Sequence, residues 1–187
     1  MREVSFVNMA DGSREEYLFL DREWKAQMHG QVAGQALDML RKLEGPKLGY
    51  KIDRYQHSLQ SATHARRAGL DEDMVVAALL HDVGDLLAPE NHSALAAAIL
   101  EPYVNERATW IVRHHGIFQG YYYFHHLGQD RDARERYRGH PHFEACAEFC
   151  ANYDQNCFDP DYDTAPLKDF IPLVERIFSR PPFGTAA

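Results

Sequence analysis

The chain has 187 residues, a net charge of −8 and a sequence pI near 5.7, with 45% hydrophobic and 12% aromatic side chains. That composition supplies one domain with one core and excludes a disordered chain. The acidic balance argues against a nucleic-acid polymer as partner, because phosphate binding wants a basic face, and no stretch approaches the ~18 uncharged apolar residues of a membrane span.

Residues 1–20 read as polar and irregular, with a short extended piece at 17–20. Asp21 caps a helix from about Arg22, and Val32, Ala36, Leu37, Leu40 and Leu43 fall on one face at helical spacing. Gly45 and Pro46 stop it. A loop over 47–55 precedes a second helix at about 56–68, with Gly69 as its C-cap. Asp71 caps the next helix. Its run Met74, Val75, Val76, Ala77, Ala78, Leu79 and Leu80 is apolar without a break, which marks a buried helix. The run ends in His81, Asp82, Val83, Gly84 and Asp85. Ionisable side chains at the end of a buried run are costly unless they are paired or bind metal.

Asn91 caps an alanine-rich helix over about 92–100. Asn105 or Glu106 begins another, which passes Trp110, Ile111 and Val112 to His114 and His115 and ends at Gly116. An aromatic stretch follows at 118–124. Residues 129–138 are charged and read as a solvated helix or loop. Helices over about 141–156 and 166–178 complete the chain. With no strand pair, repeat or linker, the expected fold is all-α. It is one domain over 1–187, with a core at about 50–178 and an N-terminal helix and extension at 1–49.

Cys146, Cys150 and Cys157 lack zinc-knuckle spacing and read as reduced thiols. The N-terminus carries no apolar run of signal-peptide type. Together these point to a cytoplasmic protein, in which the sequon Asn91, His92, Ser93 has no meaning. Asp159, Asp161 and Asp163 lack the glycine and glutamate of a calcium loop.

Eleven histidines matter by position rather than by number. His57, His81, Asp82, His92, His115 and Asp154 each lie in or at the end of an expected helix. Their separations are 24 residues from His57 to His81, 10 from Asp82 to His92, 23 to His115 and 39 to Asp154. Such spacing suits a metal site built between packed helices. Imidazole and carboxylate ligands without thiolates suit iron, zinc, manganese or nickel. Asp82 has two oxygens, so it can bridge two metals with the histidines distributed on either side. Around these ligands, Asp85, His64, Gln60, Gln119, Tyr50, Tyr122 and Tyr123 are expected to support the site or to touch substrate.

Gln56-His57, the run from Leu79 to Gly84 containing His81-Asp82, and the late Asp154 resemble the HD superfamily of metal-dependent proteins over about residues 50–178. The added pair His92 and His115 resembles its dimetal branch. Three stretches are similar to the mixed-valent diiron oxygenases, namely myo-inositol oxygenase and the HD-domain oxygenases that cleave hydroxyphosphonates. They are Tyr55 to Ala62, Ile111 to His115 with Phe118, and Phe149 to Asp154. By this likeness His115, not His114, is the ligand.

The resemblance implies an HD-domain helical bundle holding two irons as Fe2+/Fe3+, with manganese, nickel or another divalent metal as alternatives. It further implies that dioxygen activated by the metal pair, rather than a side chain, does the chemistry. A C–C or C–P bond next to a hydroxylated carbon of a small molecule would then break. Departures are plain. Gln119 and Ala151 stand where the phosphonate-cleaving enzymes place basic residues, and Asp85 stands where inositol oxygenase has a lysine. An acidic Asp85 among tyrosines would suit a cationic or polyhydroxylated substrate.

A metal-dependent phosphohydrolase is the alternative, with Arg54, Arg113 and the cluster Arg131, Arg134, Arg136 and Arg138 as its few nearby cations. A non-catalytic regulatory HD protein is a third reading, opposed by the presence of all six ligands. Monomer and homodimer both remain open.

Overall fold

The computed structural model describes residues 3–184, so the outermost residues of the expected 1–187 domain lie outside the described residues. Among the described residues eight α-helices carry the fold: α1 Arg14–Met28, α2 Val32–Arg41, α3 Arg54–Arg67, α4 Glu72–Leu80, α5 His92–Leu100, α6 Glu106–Gln119, α7 Phe143–Tyr153 and α8 Ile171–Phe178. No strand occurs among the described residues, so the chain is all-α.

The centre of the bundle is α4. Asp71 starts it by accepting a hydrogen bond from the Met74 amide, and every side chain from Asp73 to Leu80 is buried. An apolar helix with no polar face needs cover on all sides. Here α3, α6 and α8 supply it, while α5 and α7 flank α6. Asp53 caps α3 through the Gln56 amide, and Asn105 caps α6 through the Ala108 amide. Gly69, at φ +74°, lets the chain turn sharply between α3 and α4. Among the described residues no helix is long and apolar enough to cross a membrane.

Several sequence expectations change. Residues 17–20 are helical, and Asp21 sits inside α1, where it pairs with Lys25 at 3.1 Å, four residues on. The cause is a capping box: the Glu16 carboxylate accepts from the Ser13 amide at 2.9 Å, and Ser13 Oγ accepts from the Glu16 amide at 3.3 Å. No side chain of α1 is buried, and its main contact is with the turn His29–Gln31.

Gly116 does not end α6, which runs on to Gln119. A Cβ there would meet Ser93 Oγ at 2.9 Å, so the glycine serves the close approach of α5 and α6. The helix expected over 141–156 is the shorter α7, and the last one splits into the turn Leu167–Asp169 and α8. Residues 129–138 are not simply a solvated face. The turn Ala133–Tyr137 folds so that the Arg131 and Arg134 guanidinium carbons lie 4.3 and 3.8 Å from the Tyr121 ring centre. The three cysteines are free and buried, and Cys146 and Cys150 donate to α6 carbonyls.

Candidate metal centre

The six spaced side chains converge at the buried end of α4. His57 lies one turn into α3, and His81 and Asp82 follow the last residue of α4. His92 opens α5, His115 lies in α6, and Asp154 caps the C-terminal end of α7. Ser61 fixes the last of these by donating to the Tyr153 carbonyl. Gly84 permits the close passage of α5, since a Cβ on it would lie 2.4 Å from the His92 carbonyl oxygen.

The donor atoms form two groups about one carboxylate. On the inner side, Asp82 Oδ2 lies 3.5 Å from His57 Nε2 and 3.4 Å from His81 Nε2. Asp154 Oδ1 lies 3.3 and 3.8 Å from the same two nitrogens. On the outer side, Asp82 Oδ1 lies 3.6 Å from His92 Nε2 and 3.3 Å from His115 Nε2. Donors that share one ion at about 2.0–2.2 Å lie about 3 Å or slightly more from each other. Both groups meet that spacing. The sets able to hold a metal ion are His57, His81 and Asp154 on the inner side, His81, Asp82 and His115 across the centre, and Asp82, Asp85 and His92 on the outer side.

Each imidazole is oriented by its other nitrogen. Nδ1 of His57, His81, His92 and His115 faces the carbonyl of Cys157, Ala78, Pro89 and Val112 at 2.9, 2.7, 3.2 and 2.7 Å. A carbonyl only accepts, so Nδ1–H donates and Nε2 presents a lone pair to the centre. His57 and His81 then face each other through Nε2 at 3.2 Å, as do His92 and His115. Lone pairs so placed call for a cation between them. Asp154 Oδ2, buried with no hydrogen-bond partner, adds an unused donor. The residues present therefore fit a metal.

Burial lowers His81 to about 4, against the pull of Asp82 and Asp154. Burial also opposes charge on His57 and His115, but Asp154 beside His57 and Asp82 beside His115 outweigh it and hold both above the ordinary histidine range. Burial disfavours ionised Asp82 and Asp154 as well, yet the surrounding histidines keep both below the usual carboxylate range. Asp85 goes the other way, raised by burial and by the charge of Asp82.

A pocket of about 280 Å³ opens onto the outer group, bounded by Tyr50, Arg54, Gln119, Tyr122, Tyr123, Gln155 and Phe158 together with Asp82, His92, His115, Gly116 and Asp154. Gln119 donates to Asp154 Oδ1 at 2.7 Å. Burial raises the phenols of Tyr122 and Tyr123, so both stay protonated at neutral pH. Asp85 is absent from the wall. It lies behind Arg54, 3.3 Å from Nε, and 3.4 Å from His92 Nδ1. Its charge is thus committed within the protein, which removes the sequence argument for a cationic substrate.

Gln60 and His64 do not reach this pocket. The Gln60 amide bonds both to the Asp159 carbonyl and to its amide, clamping the loop that carries Cys157 and Phe158. His64 stacks on Tyr162 at 4.2 Å. His114 stacks on Trp110, away from the centre. Sequence reasoning missed Phe158, which stacks on the His57 ring at 4.3 Å and on Tyr50 at 4.7 Å. It also treated Arg54 only as a nearby cation, although its place one turn before His57 was a usable signal.

Comparison with known proteins gives a family and a relative. The family model described as HD domain matches residues 54–157. A curated relative from Leisingera caerulea, 1-hydroxy-2-(trimethylamino)ethylphosphonate dioxygenase (glycine-betaine-forming), is 27% identical over 162 residues, covering 71% of this chain and 83% of the relative. The matched stretch runs from the first residue of α3 past Asp154 and so spans all five donor-bearing helices, α3 to α7: the chain belongs to the HD domain family.

Proposed function

We propose that this chain, read as one domain over 1–187, is a non-heme diiron oxygenase. It would use dioxygen to cleave a C–C or C–P bond next to a hydroxylated carbon of a small polar substrate such as a polyol or hydroxyphosphonate. The observation that carries the reading is the shared carboxylate, with Asp82 turning Oδ2 to one pair of histidines and Oδ1 to the other. His57, His81 and Asp154 would hold one ion with Asp82, and His92 and His115 the second. When bound, an iron pair supplies the redox and Lewis-acid chemistry that dioxygen requires. Manganese and nickel accept the same donors.

The chain's own residues supply the rest. Four Nδ1–H bonds fix which nitrogens face inward. Gln119 orients Asp154 through one oxygen. The outer group, with fewer protein donors, faces the pocket and leaves room beside it for substrate. Tyr50, Tyr122, Tyr123 and Phe158 line that room. Ligand pockets run upward from about 300 Å³, so a pocket of about 280 Å³ favours a small molecule over a nucleotide. The likeness to a dioxygenase supports the same choice.

The test is dioxygen consumption by the iron-loaded protein with hydroxyphosphonates, polyols and hydroxy acids, run beside phosphate release from nucleotides and phosphoesters. Substrate-dependent oxygen uptake with bond cleavage is the expected result. Phosphate release without oxygen uptake would overturn it and make the protein a phosphohydrolase.

A further inference from the structure

We propose that Arg54 forms an anion subsite at the mouth of the metal pocket, taking a carboxylate or phosphonate group of the small molecule bound there. The inference rests on the oxygenase reading for the reaction, but not for the binding.

Arg54 is the first residue of α3, held there by the Asp53 cap, and His57 follows one turn later. The same turn of helix therefore aims a guanidinium and a candidate ligand at one space. Arg54 Nη1 lies 3.4 Å from Asp82 Oδ2, and Nε lies 3.3 Å from Asp85 Oδ2. Charge-assisted hydrogen bonds run about 2.7–2.9 Å, so both are loose ion pairs. A guanidinium has five N–H donors in a planar fork, and two long contacts leave donors for a third anion.

The group is also presented. Its carbon lies 5.2 Å from the Tyr50 ring centre and 5.9 Å from that of Phe158, within cation–π reach. The side chain keeps 32% of its surface exposed and lines the pocket. Among the described residues of that wall no other lysine or arginine occurs, and the only carboxylates are Asp82 and Asp154. In a chain of net charge −8 an anionic ligand is repelled by the bulk of the surface. One oriented guanidinium beside the metal centre then decides where it binds. A ligand that places a hydroxyl toward the outer group and its acid group on Arg54 is a small α- or β-hydroxy acid or hydroxyphosphonate.

The experiment titrates methylphosphonate and, separately, acetate into manganese-loaded protein by calorimetry, for the wild type, Arg54→Met and Arg54→Lys. Manganese content and its EPR signal are read in parallel. The expected result is a loss of about 10- to 100-fold in anion affinity for Arg54→Met with manganese content unchanged. Arg54→Lys, which keeps the charge but not the fork, should retain part of the affinity, and it carries the test if the methionine variant does not fold. The relative loss for the two probes assigns the subsite to phosphonate or carboxylate. Unchanged affinity in both variants would overturn the proposal, since the metals alone would then hold the anion. Loss of manganese in Arg54→Lys would overturn it too, making Arg54 a prop for Asp82. Manganese fills the site without redox chemistry, so this result and the oxygen-uptake result fail independently.

Discussion

His57 and His81 are fully buried, and each ties Nδ1 to a carbonyl at 2.9 Å or less. Across Asp82, the His92 side chain is 25% exposed, and its Nδ1 is divided between the Pro89 carbonyl at 3.2 Å and Asp85 at 3.4 Å. Its Nε2 also meets Ser93 Oγ at 3.2 Å. The inner group is thus held closely, whereas the outer group has one fixed imidazole, His115, with Nδ1 2.7 Å from the Val112 carbonyl, and one looser one, His92, and it opens to the pocket. A closed set of four donors and an open set of three match the division between a holding site and a reacting site. The inner ion should bind more tightly and exchange more slowly.

The largest expected effect breaks the comparison outright. Asp82→Ala removes the donor common to both groups, so metal content should fall from about two ions per chain toward none. His57→Ala comes next. It should empty the inner group and leave buried Asp154 with Gln119 as its hydrogen-bond partner but without its closest imidazole, at a cost of about 3–5 kcal/mol in thermal or denaturant unfolding. His92→Ala should instead leave one ion bound and stability nearly unchanged. Equal losses in the two variants would contradict the asymmetry.

Gly84→Ala probes the outer group through the backbone. Its Cβ would press on the His92 backbone at 2.4–2.9 Å, costing about 1–3 kcal/mol and weakening the outer ion while sparing the inner one. pH acts on both groups, since each contains one histidine with a raised pKa. A raised pKa keeps His57 and His115 protonated at higher pH than an ordinary histidine. Since metal must displace those protons, affinity should fall as pH decreases, beginning above the usual histidine range of about 6.5. A manganese titration at several pH values measures this. Gln119→Leu should have the smallest effect, about tenfold in metal affinity, because it removes one hydrogen bond to Asp154 and no ligand.

Local signals were legible in the chain. The caps at Asp71 and Asn105 set the starts of α4 and α6 as expected, the unbroken run before His81 sets the end of α4, and α5 spans the residues read for it. The spacing of six donors named side chains that the fold brings together. Other features depend on partners far away in sequence. Gly116 reads locally as a helix stop, but its reason is Ser93 across the α5–α6 contact. Phe158 reaches His57 because Gln60 clamps a loop 99 residues away. Asp85 reads as a free acid until Arg54 is seen beside it. The start of α1 was present as Ser13 and Glu16, but the mixed pattern that follows hid it.

One carboxylate, Asp82, is proposed to join two metal ions. Mössbauer and EPR spectroscopy on protein loaded anaerobically with iron and then partly oxidised test it most directly. About two irons per chain, magnetically coupled, with a mixed-valent signal, are expected. A single iron, or two that behave as isolated ions, would contradict it.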